Sequence, residues 1–482
     1  MTRRLTLSLA ATVLAIGACS DQQEPTSTAD EALAVASNNA SASYVIKFTP
    51  GKTTDFRAAV ERAGGKVSNL FAPAGVATAE SADPGFANRL RSMGGIKAVA
   101  QDTVVQWVDP NERFVVVEDA IGDTERWFPI QWNLLAVKAQ DAWATERGAD
   151  ARVAILDGGI WDQHVDIAPN LDALHSKSFV TGIPNPFTDV GTFWHATHVA
   201  GIVAAADNAN ELGTIGIAPE ATLIGVKVLH NGSGSFGAVI LGIYYAASAV
   251  TADPLTTGAG ADIINMSLGA QLPSGRDIKV RALEALLSEA TTFAHDQGVL
   301  VVASAGNGDK KGRGIDHDLG QWFTLPAQAE HVVGVSALGP VGFALGATNF
   351  DRLASYSNFG VRLVDFSGPG GDFVLPGTAL CTLGINPGNP TPTTTTVTQP
   401  CWVFDMVVSS CRGTTTSNVC WAAGTSMAAP AVSGVAALIV GRKGRSGLLA
   451  NLALATDDLG APGTDAIYGI GRVNALKAAT LP

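Results

Sequence analysis

Four polar residues stand at strand ends or helix starts, and their types suit nucleophilic hydrolysis. Asp157 follows Val153-Ala-Ile-Leu156 and opens Asp157-Gly158-Gly159. His195 opens His195-Ala-Thr-His-Val-Ala-Gly201. Asn307 closes Ser304-Ala-Gly-Asn307, after a second apolar run that ends at Ala303. Ser426 lies in Gly424-Thr-Ser-Met-Ala-Ala-Pro430, which starts a helical stretch rich in small residues. A serine hydroxyl is a weak nucleophile and needs a base to take its proton. Histidine titrates in the range that lets it take and return that proton. A buried aspartate holds the imidazole in one tautomer and stabilises the imidazolium. A serine at a helix N-terminus also meets the positive end of the helix dipole, which favours developing negative charge. Singly, each residue has a plainer use. Asp157 suits a turn, Gly-Thr-Ser a helix cap and Asn307 a left-handed turn. His195 and His198 could share a metal, but His-Ala-Thr-His lacks the spacing and the glutamate of His-Glu-x-x-His. Their occurrence together, in this order, carries the hydrolytic reading.

The elements that must position them read as an α/β domain over residues 128–482. Val153–Leu156, Thr222–Leu229, Asp262–Asn265 and Val299–Ala303 read as strands. His198–Ala206, Gly237–Val250 and Arg281–Gln297 read as helices. Strands alternating with helices predict a mostly parallel sheet covered on both faces, with ligands at the carboxyl ends of the strands. Residues 43–108 read as a smaller α+β unit. Strands are expected over 43–48, 67–72, 75–79 and 96–107, and helices over 56–63 and 86–93, an order that suggests a ferredoxin-like unit. Residues 109–127 are acidic and polar and read as a linker. No internal repeat is present.

Composition narrows the function classes. Of 482 residues 46% are hydrophobic and 15% are charged, with 53 glycines, which fits a large packed core. A formal net charge of −12 argues against a nucleic-acid partner. The N-terminus reads as an export signal over residues 1–19. Arg3 and Arg4 precede an apolar run, Leu5–Ala18, shorter than the ~20 residues that span a bilayer. It ends Ile16-Gly17-Ala18-Cys19, which resembles a bacterial lipobox with Cys19 as the lipidation site; in an ordinary signal peptide Cys19 would be incidental. Residues 20–42 then form a polar tether. The expected location is outside the cytoplasm, lipid-anchored on the envelope or secreted. Membrane contact is expected through the anchor alone, and the chain is expected to be a monomer.

The motifs resemble those of the subtilisin-like serine proteases, the subtilases. The chain order Asp, His, Ser is that of subtilisin. Gln131-Trp-Asn-Leu134, Gly216-Ile-Ala-Pro-Glu-Ala221, Asp262-Ile-Ile-Asn-Met-Ser-Leu-Gly269 and Tyr468-Gly-Ile-Gly-Arg-Val-Asn474 resemble further family blocks. The resemblance covers about residues 128–482 and implies a three-layer α/β/α domain. It implies that Asp157 orients His195, that His195 serves as base and then acid, and that Ser426 forms an acyl-enzyme. Asn307 and the Ser426 amide would form the oxyanion hole. Ser233 and Gly234 would pair with one side of an extended polypeptide substrate, and Ser267, Leu268 and Gly269 with the other. The unit 43–108 would be an inhibitory propeptide, a partner of the same chain cut within the linker, or else a permanent accessory domain. Two positions depart from the family. Gly158 stands where Ser or Thr is usual, and Ala196 where Gly is usual.

A late insertion, residues 376–420, includes the Pro/Thr-rich run 387–399 and holds Cys381, Cys401, Cys411 and Cys420. Outside the cytoplasm these read as two disulfides, with three connectivities open; a zinc site would want a Cys-x-x-Cys pair that is absent. No cofactor is needed for the chemistry. A structural calcium ion is implied at Asp166, with Asp207, Asn208 and Asn210 as further oxygen donors, unless these form a plain polar turn. The leading expectation is an exported serine endopeptidase made as a zymogen, with two alternatives. A catalytically silent binding lipoprotein on this scaffold would explain Gly158 and Ala196. An esterase would carry Gly-x-Ser-x-Gly with the serine first in chain order, and here the serine is last.

Overall fold

A computed structural model describes residues 41–110, 112–116, 128–191, 193–208, 213–254, 256–275, 277–385 and 396–482. The signal segment, its Cys19 and most of the tether lie outside the described residues, as does Asn210.

The N-terminal unit runs β1 (Ala42–Phe48), α1 (Thr53–Arg62), β2 (Lys66–Phe71), β3 (Val76–Ser81), α2 (Phe86–Arg91) and β4 (Ile96–Gln101). Its antiparallel sheet has the order β2-β3-β1-β4, the ferredoxin-like arrangement the sequence predicts. Side chains alternate across a strand, so β1 serves two cores. Tyr44, Ile46 and Phe48 pack with Phe56, Val60, Phe86 and Leu90 under the unit's own helices. Val45 faces the other way, into the core of the large domain, with Phe71 and Val76. The two bodies therefore share a packed interface.

Two short strands follow, β5 (Val104–Gln106) and β6 (Arg113–Val116). The large domain then supplies β7 (Arg152–Asp157), β8 (Lys177–Ser178), α3 (His195–Ala204), β9 (Thr222–Lys227), β10 (Ser233–Ser235), α4 (Phe236–Ala247), β11 (Ile263–Met266), β12 (Ala270–Pro273), α5 (Ile278–Asp296) and β13 (Leu300–Ser304). It continues with β14 (Trp322–Leu325), β15 (Val332–Leu338), β16 (Phe366–Pro369), β17 (Leu380–Gly384), β18 (Thr396–Pro400), β19 (Val407–Ser410), β20 (Val419–Ala423), α6 (Thr425–Lys443), β21 (Thr456–Asp457) and β22 (Arg472–Val473). The nine-stranded sheet has the order β21-β22-β16-β15-β13-β11-β7-β9-β8. Its ladders are parallel except β21–β22, as the apolar runs predict. Helices α3 and α6 bury one face with Val153, Ile155 and Val302. Helices α4 and α5 bury the other with Leu156, Val226 and Met266. Helix α6 is long and apolar enough to cross a membrane, but 89% of its apolar window is buried inside the domain, so it is a core helix.

Candidate active site

Asp157 is the last residue of β7 and is 1% exposed. Its Oδ1 accepts the Gly158 N–H (2.6 Å), and its Oδ2 pairs with His195 Nδ1 (2.8 Å). His195 opens α3 just after Trp194, which has a left-handed φ of 47°; that turn aims the helix start at the carboxylate. One turn on, His198 Nε2 meets the Cys420 carbonyl (3.1 Å). Burial pushes its imidazole down to about 3, so the ring is neutral and donates this bond. His198 thus ties α3 to β20 instead of holding a metal.

Ser426 is the second residue of α6, directly after β20. The Ser267 hydroxyl donates to the Ser426 carbonyl (2.7 Å) and accepts from Asn265 Nδ2 (3.0 Å), which fixes the helix start. Asn307 uses its Oδ1 to accept from the backbone N–H and hydroxyl of Thr425 (2.9 and 2.8 Å). Its Nδ2 is thereby turned to the free side, 3.3 Å from where a Cβ on Gly424 would stand. The structure thus brings together all four residues singled out from the sequence.

A fifth residue, Glu112, which carries no local mark in the sequence, joins these four. The Ser426 hydroxyl donates to Glu112 Oε2 (3.0 Å), and Glu112 Oε1 lies 3.5 Å from His195 Nε2. His195 Nε2 is buried without a hydrogen-bond partner, so Ser426 is not bonded to it. The carboxylate fills the space between them, at the N-terminus of α6 and close to Asn307 Nδ2. This is where an anion is favoured, by the helix dipole and by free N–H donors. Burial alone would push the His195 imidazole down. The carboxylates of Asp157 and Glu112 on its two sides outweigh burial and hold it well above its ordinary range.

Glu112 lies in the residues read from sequence as linker, and the end of the N-terminal unit, 104–108, leads the chain to it. β5 pairs antiparallel with β10, Gln106 opposite Ser233 and Val105 opposite Gly234. The Trp107 carbonyl accepts from the Gly269 N–H (2.8 Å), and the Val108 N–H donates to the Gly232 carbonyl (3.1 Å). Ser233, Gly234 and Gly269 therefore present backbone to an extended chain, here the protein's own. Ser267 is turned inward to Ser426, and Leu268 is 1% exposed in the core. At Asp109 the chain turns, the Glu112 N–H donating back to the Asp109 carbonyl (3.0 Å), and then enters β6. β6 corrects the linker reading: four residues, Arg113-Phe-Val-Val116, give too short an apolar signal among acidic neighbours to stand out.

Gly158 has a physical account. A Cβ there would stand 2.1 Å from Asp189 Oδ2. Asp189 accepts from the Gly159 and Asn231 N–H groups (3.2 and 3.0 Å), so it occupies the space a hydroxyl side chain would take. Ala196 is fully buried in the core against α6 and the sheet. The cysteines pair as neighbours, Cys381–Cys401 and Cys411–Cys420, settling the connectivity that the sequence left open. Asp166 accepts the Thr214 N–H (3.0 Å), and Asn208 uses its amide to donate to the Val165 carbonyl (3.1 Å). A Cβ on Gly213 would fall onto the Asp166 carboxylate. Asp207 pairs with Arg147 (2.6 Å), and Asn210, also expected among the calcium donors, lies outside the described residues. Among the described residues no group of three or more His, Cys, Asp or Glu stands ready to hold a metal.

The chain belongs to the subtilase family, whose model matches residues 148–471. It is 29% identical to thermitase of Thermoactinomyces vulgaris over 349 residues, 72% of this chain and 95% of that protein. It is 28% identical to a thermophilic serine proteinase of Bacillus sp. (strain AK1) over 395 residues, 80% of this chain and 75% of that protein. Its fold is similar to that of the epidermin leader peptide processing serine protease from Staphylococcus aureus. The TM-score is 0.67 at 20% identity, covering 92% of this chain and 98% of that one. The protein is accordingly a serine endopeptidase of this family.

Proposed function

We propose that this chain is the zymogen of an exported serine endopeptidase that cuts polypeptides through Asp157, His195 and Ser426. The observation that carries the reading is the Asp157–His195 pair (2.8 Å) facing a serine at the start of a buried helix. Once Glu112 is withdrawn, the Ser426 hydroxyl is free to turn to His195 Nε2. His195 takes its proton as Oγ attacks the scissile carbonyl, and Asp157 stabilises the imidazolium. The oxyanion is met by Asn307 Nδ2 and the Ser426 N–H. His195 then protonates the leaving amine, and a water activated by the same imidazole hydrolyses the acyl-enzyme. No step needs a metal.

Residues 43–108 act as the inhibitory propeptide, and the cut that separates it falls within 109–127. Its packed interface on α4 and the occupation of both substrate edges support this reading. Export rests on the N-terminal signal pattern and agrees with the two disulfides, with Cys19 as the lipid anchor. Purified, processed protein should hydrolyse casein. A serine-directed fluorophosphonate should block this, and Ser426→Ala should abolish it. Processed protein that cuts neither casein nor peptides would sink the reading. Mass spectrometry of the mature N-terminus tests lipidation and propeptide removal together.

A further inference from the structure

The residues beyond Glu112 lie on the enzyme as an extended polypeptide would. β6 runs antiparallel to β20, with Arg113 opposite Ala423, Phe114 opposite Ala422, Val115 opposite Trp421 and Val116 opposite Cys420. The preceding stretch, 104–108, occupies the Ser233 and Gly269 edges, so the chain crosses the nucleophile in one direction. A substrate running the same way would place its residues after the scissile bond along β20. That strand is braced from three sides: by its ladder with β19, by the Cys411–Cys420 disulfide, and by His198 on the Cys420 carbonyl. Two side chains of β6 have specific seats. The Phe114 ring stacks on Phe193 at 4.6 Å and 6°. The Arg113 guanidinium lies over the Phe373 ring at 5.0 Å.

We propose that β20, with Phe193 and Phe373, is the recognition track for the leaving side of polypeptide substrates. It selects an aromatic residue opposite Ala422 and a cation opposite Ala423. Counting the position of Glu112 as the first residue after the scissile bond, these are the third and the second. Backbone pairing gives affinity that tolerates any sequence, and the seats for alternate side chains give the preference. An aromatic pair of this kind is expected to favour the matching substrate about 2–10-fold. The inference rests on the endopeptidase reading above.

The test is a series of peptides identical except at the third residue after the cut, incubated with the processed enzyme. Phe should exceed Ala in kcat/KM by about 2–10-fold. That ratio should fall toward one in Phe193→Ala and be kept in Phe193→Tyr. Peptides cut equally well whatever stands at that position would overturn the proposal, whereas a series in which nothing is cut would strike the endopeptidase reading instead. A second measurement needs no activity. In the uncut Ser426→Ala chain, Phe193→Ala should speed hydrogen exchange of the β6 amides several-fold, and Phe193→Tyr should not. Unchanged exchange in Phe193→Ala would also overturn the proposal.

Discussion

Glu112 Oε2 lies 3.0 Å from Ser426 Oγ, where the hydroxyl donates to it. The proton that catalysis would send to His195 is directed to an anion instead. The other carboxylate oxygen faces His195 Nε2 at 3.5 Å and, with Asp157, favours the imidazolium, which cannot act as a base. One side chain thus blocks both the nucleophile and its base. A hydrogen bond to a charged group contributes about 1.5–3 kcal/mol, equivalent to about 10–100-fold in an equilibrium. Glu112→Ala should therefore raise the rate at which a fluorophosphonate labels the uncut chain by about that factor. Full-length protein on a gel reports the uncut species. Labelling as slow as in the wild type would show that the carboxylate is not what closes the site.

The same pairing sets a pH dependence. His195 has a raised pKa in the folded, uncut chain, so its protonated pairing contributes stability that is fully present below the unfolded value, about 6.5. That contribution is lost as pH rises through the folded value. Labelling of the uncut chain should accordingly increase toward alkaline pH, with a midpoint above 6.5. Glu112→Gln removes one of the two anions and should move the midpoint down. A midpoint unmoved by Glu112→Gln would remove Glu112 from the electrostatics of His195.

Two other histidines make the fold sensitive to acid. Burial pushes His164 down to about 4 and His198 down to about 3. Both are neutral in the fold, and the unfolded chain binds their protons below about pH 6.5. A lowered histidine pKa gives stability that is present above the unfolded value and is lost as pH falls toward the folded one. Each should cost about 1.4 kcal/mol per pH unit across that window. The urea midpoint should fall clearly between pH 7 and pH 5. A midpoint that holds constant would mean that both rings are protonated in the native state, and a fall of half the expected size would mean that one is.

How much of this was legible depended on distance along the chain. Asp157, His195, Asn307 and Ser426 could be read because each stands at a strand end or at the start of a helical stretch. The ferredoxin-like order of 42–101 was legible because β1 alternates cleanly. Glu112 was not, because its role arises from a contact 314 residues away, and an acidic residue in a polar stretch has no local mark. Asp189 was hidden likewise. Gly158 lacks a hydroxyl in the sequence, but only the fold shows the carboxylate that fills the gap. The β19–β20 hairpin starts in the Cys-bracketed insertion and runs past its end to Ala423, and its pairing partner β6 read as linker.

The pairing of Gly158 with Asp189 makes a last prediction. Asp189 Oδ2 would stand 2.1 Å from a Cβ at position 158, so Gly158→Ser must push the Asp189 carboxylate away. Its bonds to the Gly159 and Asn231 N–H groups would go with it, and Asp189 and Asn231 line the catalytic cleft. Overpacking of this kind costs about 1–3 kcal/mol. Gly158→Ser alone should therefore lower the urea midpoint, and it should lower kcat/KM by moving the backbone beside Asp157. Asp189→Ser alone loses the bonds without the clash. The double variant leaves room for the new hydroxyl, so it should be less damaged than the sum of the two single changes. A double-mutant cycle measures that difference, with a coupling of about 1 kcal/mol or more expected for residues in contact. Strict additivity would show that the space at Gly158 is not what Asp189 occupies, and the departure from the family at this position would lose its physical account.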